Sequence, residues 1–279
     1  MQTLNFDIAD GVGWIRLTRP DKRNPFDSQL RGELADVMTQ VRDDPAVRVL
    51  VLAGSPGAFC AGGNLHQLKE HAADGPAYWQ QRLTTGLRAI NDLLQLTRPL
   101  IAVVDGPAYG AGFALTLTAD IVLASPQARF AMSYLKLGLV PDVGAMYLLP
   151  RIVGLQRARE LMYSAREVDA AEALALGLVM EVHDSSALEA RAAAIAHSLT
   201  QAAPAALAMT KATLNISLDS DRASLFALEA ASQAAAFAAP EPLQAIEAML
   251  GRRAPPYNGF PIREGQGSEE AGGYRLTRA

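Results

Sequence analysis

One carboxylate, Asp142, stands in the otherwise apolar stretch GLVPDVGAMYLLPRIVG, residues 138–154, bracketed by glycine and proline. An ionised aspartate is costly to bury without partners, so the position is solvated, caps a helix or does chemistry. PDVGAMYLL reads as a helix start, which makes an Asp142 N-cap the plain alternative to a general acid or base. Two glycine-rich stretches add a second kind of group, the main-chain donor. GSPGAFCAGGNLHQL and DGPAYGAGFALTLTAD each pass from an apolar run through small residues into a helical pattern. Glycine lets another group approach the backbone, and a helix N-terminus offers unpaired N–H groups to anionic oxygen. Two such turns converging on one oxygen would form an oxyanion hole; taken singly, each also fits a tight turn packed with small residues. Neither matches a dinucleotide or phosphate-loop fingerprint.

The elements that must position these groups follow from periodicity. LNFDIAD and GWIRLT read as two short strands joined at Gly11 and Gly13 like a hairpin. DSQLRGELADVMTQVRDD has helical spacing, with Asp27 or Ser28 as its cap. VRVLVLAG is a continuous apolar strand of the kind buried on both faces, and the cycle recurs with PLIAVVDG, a helical GAGFALTLTAD and the strand IVLASP. Strands alternating with helices predict α/β layers with right-handed crossovers. From about residue 155 the texture changes to short alanine-rich helices, which are expected to pack on the core and on neighbouring subunits. The stretch after Tyr257 is polar and glycine-rich and reads as a flexible tail.

Bulk properties narrow the function. Half of the 279 residues are apolar and the net charge is −4, which gives no electrostatic support to a nucleic-acid or membrane partner. Cys60 is the only cysteine, so intramolecular disulfides are excluded, and a cytoplasmic protein is expected. No apolar run approaches the length of a membrane span, and the N-terminal residues carry no basic-then-apolar signal. Cys60 reads as a small core residue, and His71, His183 and His197 lack metal-ligand spacing, so no metal is predicted.

In order, AFCAGGNL, GPAYGAGFALTLTADIVLAS and ARFAMSYLKLGLVPDVGAMYLLPRIVG resemble the crotonase, or enoyl-CoA hydratase/isomerase, superfamily. The likeness runs from about residue 4 to residue 257 and takes in AAEALALGLVMEV and RRAPPY. It implies an α/β fold, a spiral of ββα units over residues 1–200, with a helical oligomerisation region at 201–257 and the tail at 258–279. Homotrimers or dimers of trimers are implied. So is a coenzyme A thioester as substrate, with no prosthetic group. The resemblance assigns the backbone N–H groups of Gly63 and Ala111 to the thioester oxygen. It assigns CoA binding to Arg23, Asn24, the backbone near Ala61, and Arg252, whose guanidinium would meet a phosphate, from a neighbouring subunit in some relatives. Read without the resemblance, Arg23 and Arg252 are ordinary solvated surface.

The chain departs from the family's hydratases. These use two glutamates to position water, and at those places this sequence has Ala114 and Tyr134. Alanine cannot transfer a proton, and tyrosine with an ordinary pKa of about 10 is a poor base near neutrality. KLGLVPDVG resembles the branch that moves double bonds in acyl-CoA thioesters, and in particular ring-modifying isomerases of phenylacetate breakdown. One carboxylate suffices there: Asp142 would take a proton from one carbon and return it two carbons away. An apolar surround would raise its pKa toward a useful value. His66 is expected either to line the acyl pocket, with Ala114 and Tyr134, or to face solvent on a helix. Tyr134 would contact substrate or Asp142, or simply pack. Two rivals stay open, a hydratase with a relocated acid and a catalytically silent acyl-CoA-binding protein.

Overall fold

An uninterrupted apolar strand is stable only where both faces of its sheet are covered, and the fold provides that cover. The computed structural model describes residues 1–260. A six-stranded sheet runs in the order β1 (Leu4–Ala9), β2 (Val12–Leu17), β3 (Val49–Ala53), β4 (Leu100–Val104), β6 (Ile121–Ala124), β9 (Glu181–Val182). A smaller sheet holds β5 (Pro107–Tyr109), β7 (Arg129–Ala131) and β8 (Val168–Asp169). The β1–β2 hairpin is antiparallel, and every later pair in the large sheet is parallel. All five residues of β3 are buried. Val49 and Val51 face one apolar cluster, while Leu50 and Leu52 face the other.

The helices are α1 (Ser28–Asp43), α2 (Leu65–Glu70), α3 (Gly75–Leu94), α4 (Ala111–Thr116), α5 (Ala145–Val153), α6 (Leu155–Ser164), α7 (Ala170–Ala175) and α8 (Ser185–Thr200). After them come α9 (Pro204–Ile216), α10 (Arg222–Phe237) and α11 (Glu241–Leu250). Helix α8 covers one face of the large sheet through Leu188, Ala192, Ile195, Ala196 and Leu199. Helix α1 belongs to the other face, where Leu30, Leu34, Val37, Met38 and Val41 recur at helical spacing. The repeating unit is visible in order: β4 in the large sheet, β5 in the small one, then α4; β6 in the large sheet, β7 in the small one, then a 3-10 turn and α5. Cys60, bridged to Ala108, extends the small sheet by one further chain pass after β3.

Helices α9 and α10 bury none of their residues within the chain, and α11 buries only Ala248. Large apolar side chains stand in the open there, among them Leu214 at 64% and Leu250 at 78% exposure. Of the expected tail, residues 261–279 lie outside the described residues. Residues before them do not fit the expectation: Phe260 packs on the α8 cluster, and Ser198 Oγ donates to the Gly259 carbonyl at 2.9 Å. No helix among the described residues is long and apolar enough to cross a membrane.

Candidate active site

The two glycine turns are stitched backbone to backbone. Cys60 N–H donates to Pro107 O at 3.0 Å, and Tyr109 N–H donates to Cys60 O at 2.9 Å. A Cβ on Gly62 would sit 2.5 Å from Tyr109 O, and one on Gly112 would sit 2.0 Å from Cys60 O. No side chain fits at either place, which is why the turns approach as closely as they do. The approach sets Gly63 and Ala111 on the wall of one cleft of about 730 Å3. Ala111 is the first residue of α4, and neither its N–H nor that of Gly63 donates to any group among the described residues. Two unspent donors converging on a cleft are what an oxyanion hole needs.

Asp142 lines the same cleft and is the one carboxylate among its described lining residues. It does not cap α5. Val143 at φ 55° and Gly144 at φ 78° stand between it and the first helical residue, and Gly144 occupies the cap position without a side chain. The two left-handed residues turn the chain so that the carboxyl faces the cleft instead of the helix end. Left-handed backbone at a β-branched residue is strained, and such strain gathers at functional sites. Asp142 Oδ1 and the neighbouring Tyr134 Oη are both buried, and neither has a hydrogen-bond partner among the described residues. Burial raises the Asp142 pKa above the ordinary carboxylate range, against the opposing pulls of the Tyr134 hydroxyl and the Arg31 charge. Burial and the nearby carboxyl push Tyr134 upward too, which makes it a poor base near neutrality. Its ring also stands beside the second turn, with Cε2 3.8 Å from where a Gly110 Cβ would be.

The other predicted residues divide. Ala61 lines the cleft, and its N–H is spent on Arg23 O at 2.9 Å, which anchors the Arg23 segment at the cleft's edge. Arg23 itself is exposed, within electrostatic reach of Tyr109 on the cleft wall. Asn24 requires correction, because its side chain is buried and committed. Its Nδ2 donates to Ala58 O at 2.9 Å and Phe59 O at 3.1 Å, and its Oδ1 accepts from Arg19 N at 2.7 Å. That carboxamide holds two loops together and has nothing left for a ligand. His66 is exposed on α2 and does not line the cleft, and Ala114 is fully buried in the core behind it. Arg252 is exposed beyond α11, outside the lining of its own chain's cleft. Cys60 is fully buried, and burial pushes its thiol up to about 12, so it is a packing residue.

Trp79, Arg82 and Leu83 of α3 lie in the stretch 66–83, whose side chains are expected from sequence to shape the acyl pocket, and they line the cleft. Arg31 of α1, which sequence reading missed, lines it too. Only the pairing of α1 with α3 brings them there, and their local pattern is that of surface helix residues. Leu137, Leu139 and Val140 form an exposed apolar lip beside Asp142. Their proximity to Asp142 in the chain was the available signal.

Comparison with known proteins identifies the family. Residues 7–260 match the family described as enoyl-CoA hydratase/isomerase. The chain is 31% identical to 1,2-epoxyphenylacetyl-CoA isomerase of Escherichia coli, over 93% of this chain and 99% of that one. It is 35% identical to carnitinyl-CoA dehydratase of Citrobacter koseri, over 75% of this chain and 79% of that one. A crystal structure of an enoyl-CoA hydratase/isomerase from Cupriavidus metallidurans superposes with a TM-score of 0.91 at 65% identity, covering 94% of this chain and 98% of that one.

Proposed function

The chain belongs to the enoyl-CoA hydratase/isomerase family of the crotonase superfamily, and from that premise we propose that it is an acyl-CoA isomerase. Enzymes of this family act on CoA thioesters without a prosthetic group. The observation that carries the finer reading is Asp142: a single carboxylate on the cleft wall, with an unpartnered buried oxygen, where the two usual glutamate places hold Ala114 and Tyr134.

In this reading the thioester oxygen sits between Gly63 N–H and Ala111 N–H. Asp142 removes a proton from the α carbon of a 3-enoyl thioester, and the electron pair moves to the oxygen as a dienolate. The two N–H groups stabilise that charge without reorganising. Asp142 then returns the proton to the γ carbon, which leaves the double bond between the α and β carbons. The raised pKa makes the carboxylate a stronger base, and Tyr134 and Arg31 keep its ionised form within reach. Arg23, the Ala61 backbone and Arg252 are proposed to meet the CoA moiety, Arg252 from a neighbouring copy. The open apolar faces of α9–α11 support assembly into trimers.

The test offers purified protein 3-enoyl-CoA and 2-enoyl-CoA, with Asp142→Asn beside it. Migration of the double bond, reduced by about 10²- to 10⁴-fold in the variant, is the expected outcome. Water addition without migration overturns the isomerase in favour of a hydratase, a reading that the dehydratase named among the relatives keeps in view. Tight binding of thioesters with no turnover would instead mark a silent binding protein.

A further inference from the structure

Two arginines stand where double-bond migration has no direct work for them. Arg31 rises from α1 and Arg82 from α3, and both line the cleft that contains Asp142. Both also line a second groove of about 750 Å3 between α1 and α3, so the pair forms the partition between the two spaces. The Arg31 stem passes over Gly86 of α3, where an added Cβ would sit 3.3 Å from its Cδ. A guanidinium carries five N–H donors. The one bond that Arg31 makes is a long one, 3.5 Å to Phe26 O. Arg82 bonds only neutral acceptors, Tyr78 Oη at 3.2 Å and Gln67 Oε1 at 3.3 Å.

Neither guanidinium forms an ion pair with a carboxylate among the described residues. Of the two carboxylates whose charge reaches Arg31, Asp142 makes no ion pair with it and Asp27 is committed to Arg19 at 2.7 Å. Burial and the like charge of Arg82 hold Arg31 below its ordinary range, and the charges of Asp142 and Asp27 offset this only in part. An anion between the two guanidinium groups would offset the rest, and two planar forks suit a carboxylate.

We propose that Arg31 and Arg82 bind a carboxylate at the far end of the acyl chain, so that the substrates are ω-carboxyacyl-CoA thioesters. This rests on the reading of Asp142 and the two glycine turns as the reacting centre. The anion is assigned to the acyl chain and not to the nucleotide because Arg31 and Arg82 line the same cleft as Asp142, Gly63 and Ala111, the groups read as the reacting centre. The apolar side chains of Leu65, Leu68 and Leu83 line the cleft with the arginine pair, as an aliphatic spacer requires.

Because Arg31 also favours ionised Asp142, turnover alone would mix two roles, and binding of unreactive ligands separates them. Calorimetry on the full chain would compare saturated ω-carboxyacyl-CoA thioesters of increasing length with their methyl-terminated counterparts and with CoA alone. At one length or more the carboxylate ligand should bind about tenfold tighter or better, since charge-assisted hydrogen bonds are worth that much. Arg31→Leu and Arg82→Leu should each collapse that ratio toward one, and Arg82→Lys should fall between. Thermal unfolding of each variant confirms that it is folded. No preference for the carboxylate at any length overturns the proposal, as does equal weakening of CoA alone, which would mean that the pair reads a phosphate. Migration assayed in parallel keeps the two readings apart. Migration without the preference sinks only the arginine site, and preference without migration sinks only the isomerase.

Discussion

Asp27 and Asp142 are both aspartates drawn largely out of water, and their surroundings are opposite. Asp27 is 4% exposed and fully engaged. Arg19 grips it in a fork at 2.7 and 3.0 Å, and it caps α1 by accepting from Leu30 N at 3.0 Å. Burial alone would raise its pKa, but the bonds from Arg19 and Leu30 and the Arg19 charge outweigh that and hold it below the ordinary value. Asp142 has no such grip: Oδ1 is unpartnered, and burial wins. One carboxylate has been made a fixed part of the frame, and the other keeps one oxygen unbonded, with Tyr134 and Arg31 too weak to outweigh burial. Hydrogen-bond satisfaction, more than burial, is what distinguishes them.

Four experiments can break or sharpen that contrast. The largest effect is expected from Asp142→Asn on turnover, a loss of about 10³-fold, or about 4 kcal/mol of barrier. Next is Asp27→Ala, which leaves the half-buried Arg19 without its carboxylate and removes a helix cap; denaturant unfolding should register a loss of about 3 kcal/mol. A smaller change of opposite sign is expected for the stability of Asp142→Asn. An acid whose pKa is raised by folding stabilises the fold below its unfolded pKa, and that contribution is lost as pH rises through the folded one. At neutral pH the ionised Asp142 is therefore a cost that the amide removes, and the unfolding midpoint should rise by about 2–4 °C. For Asp27 the sign reverses: its contribution is present above the unfolded pKa and fades as pH falls through the depressed value. The smallest effect belongs to Tyr134→Phe. Removing a group that favours ionised Asp142 should move the acid limb of kcat/KM to higher pH and lower neutral activity by about threefold. A limb that moves downward would mean that Tyr134 acts on something other than Asp142.

The same contrast marks where the sequence was readable. The Asp27 cap is a local event, completed three residues away at Leu30, so helical spacing and residue type announce it. The all-buried β3 and the hairpin at Gly11 are legible for the same reason. Asp142 also looked like a cap, and only the left-handed pair Val143 and Gly144 shows otherwise; the φ of a valine has no sequence signature. Asn24 sits beside Arg23 and looked equally available, but its carboxamide is consumed by Ala58 and Phe59, far along the chain. Arg31 was passed over because a guanidinium on an amphipathic helix resembles solvated surface until α1 and α3 are laid side by side.

The glycine turns have a consequence for how such a protein can change over generations. A Cβ added to Gly63 would meet only Leu68 Cδ1, at 3.5 Å, and Ala111 already carries one, so the two donors themselves tolerate substitution. Heredity constrains their neighbours, Gly62 and Gly112, where an added carbon would strike main-chain oxygen. A lineage can thus exchange the proton-transferring side chains around the cleft while the machinery that steadies the anion is inherited intact. New reactions become available through a few substitutions beside the turns, with the main-chain donors left alone.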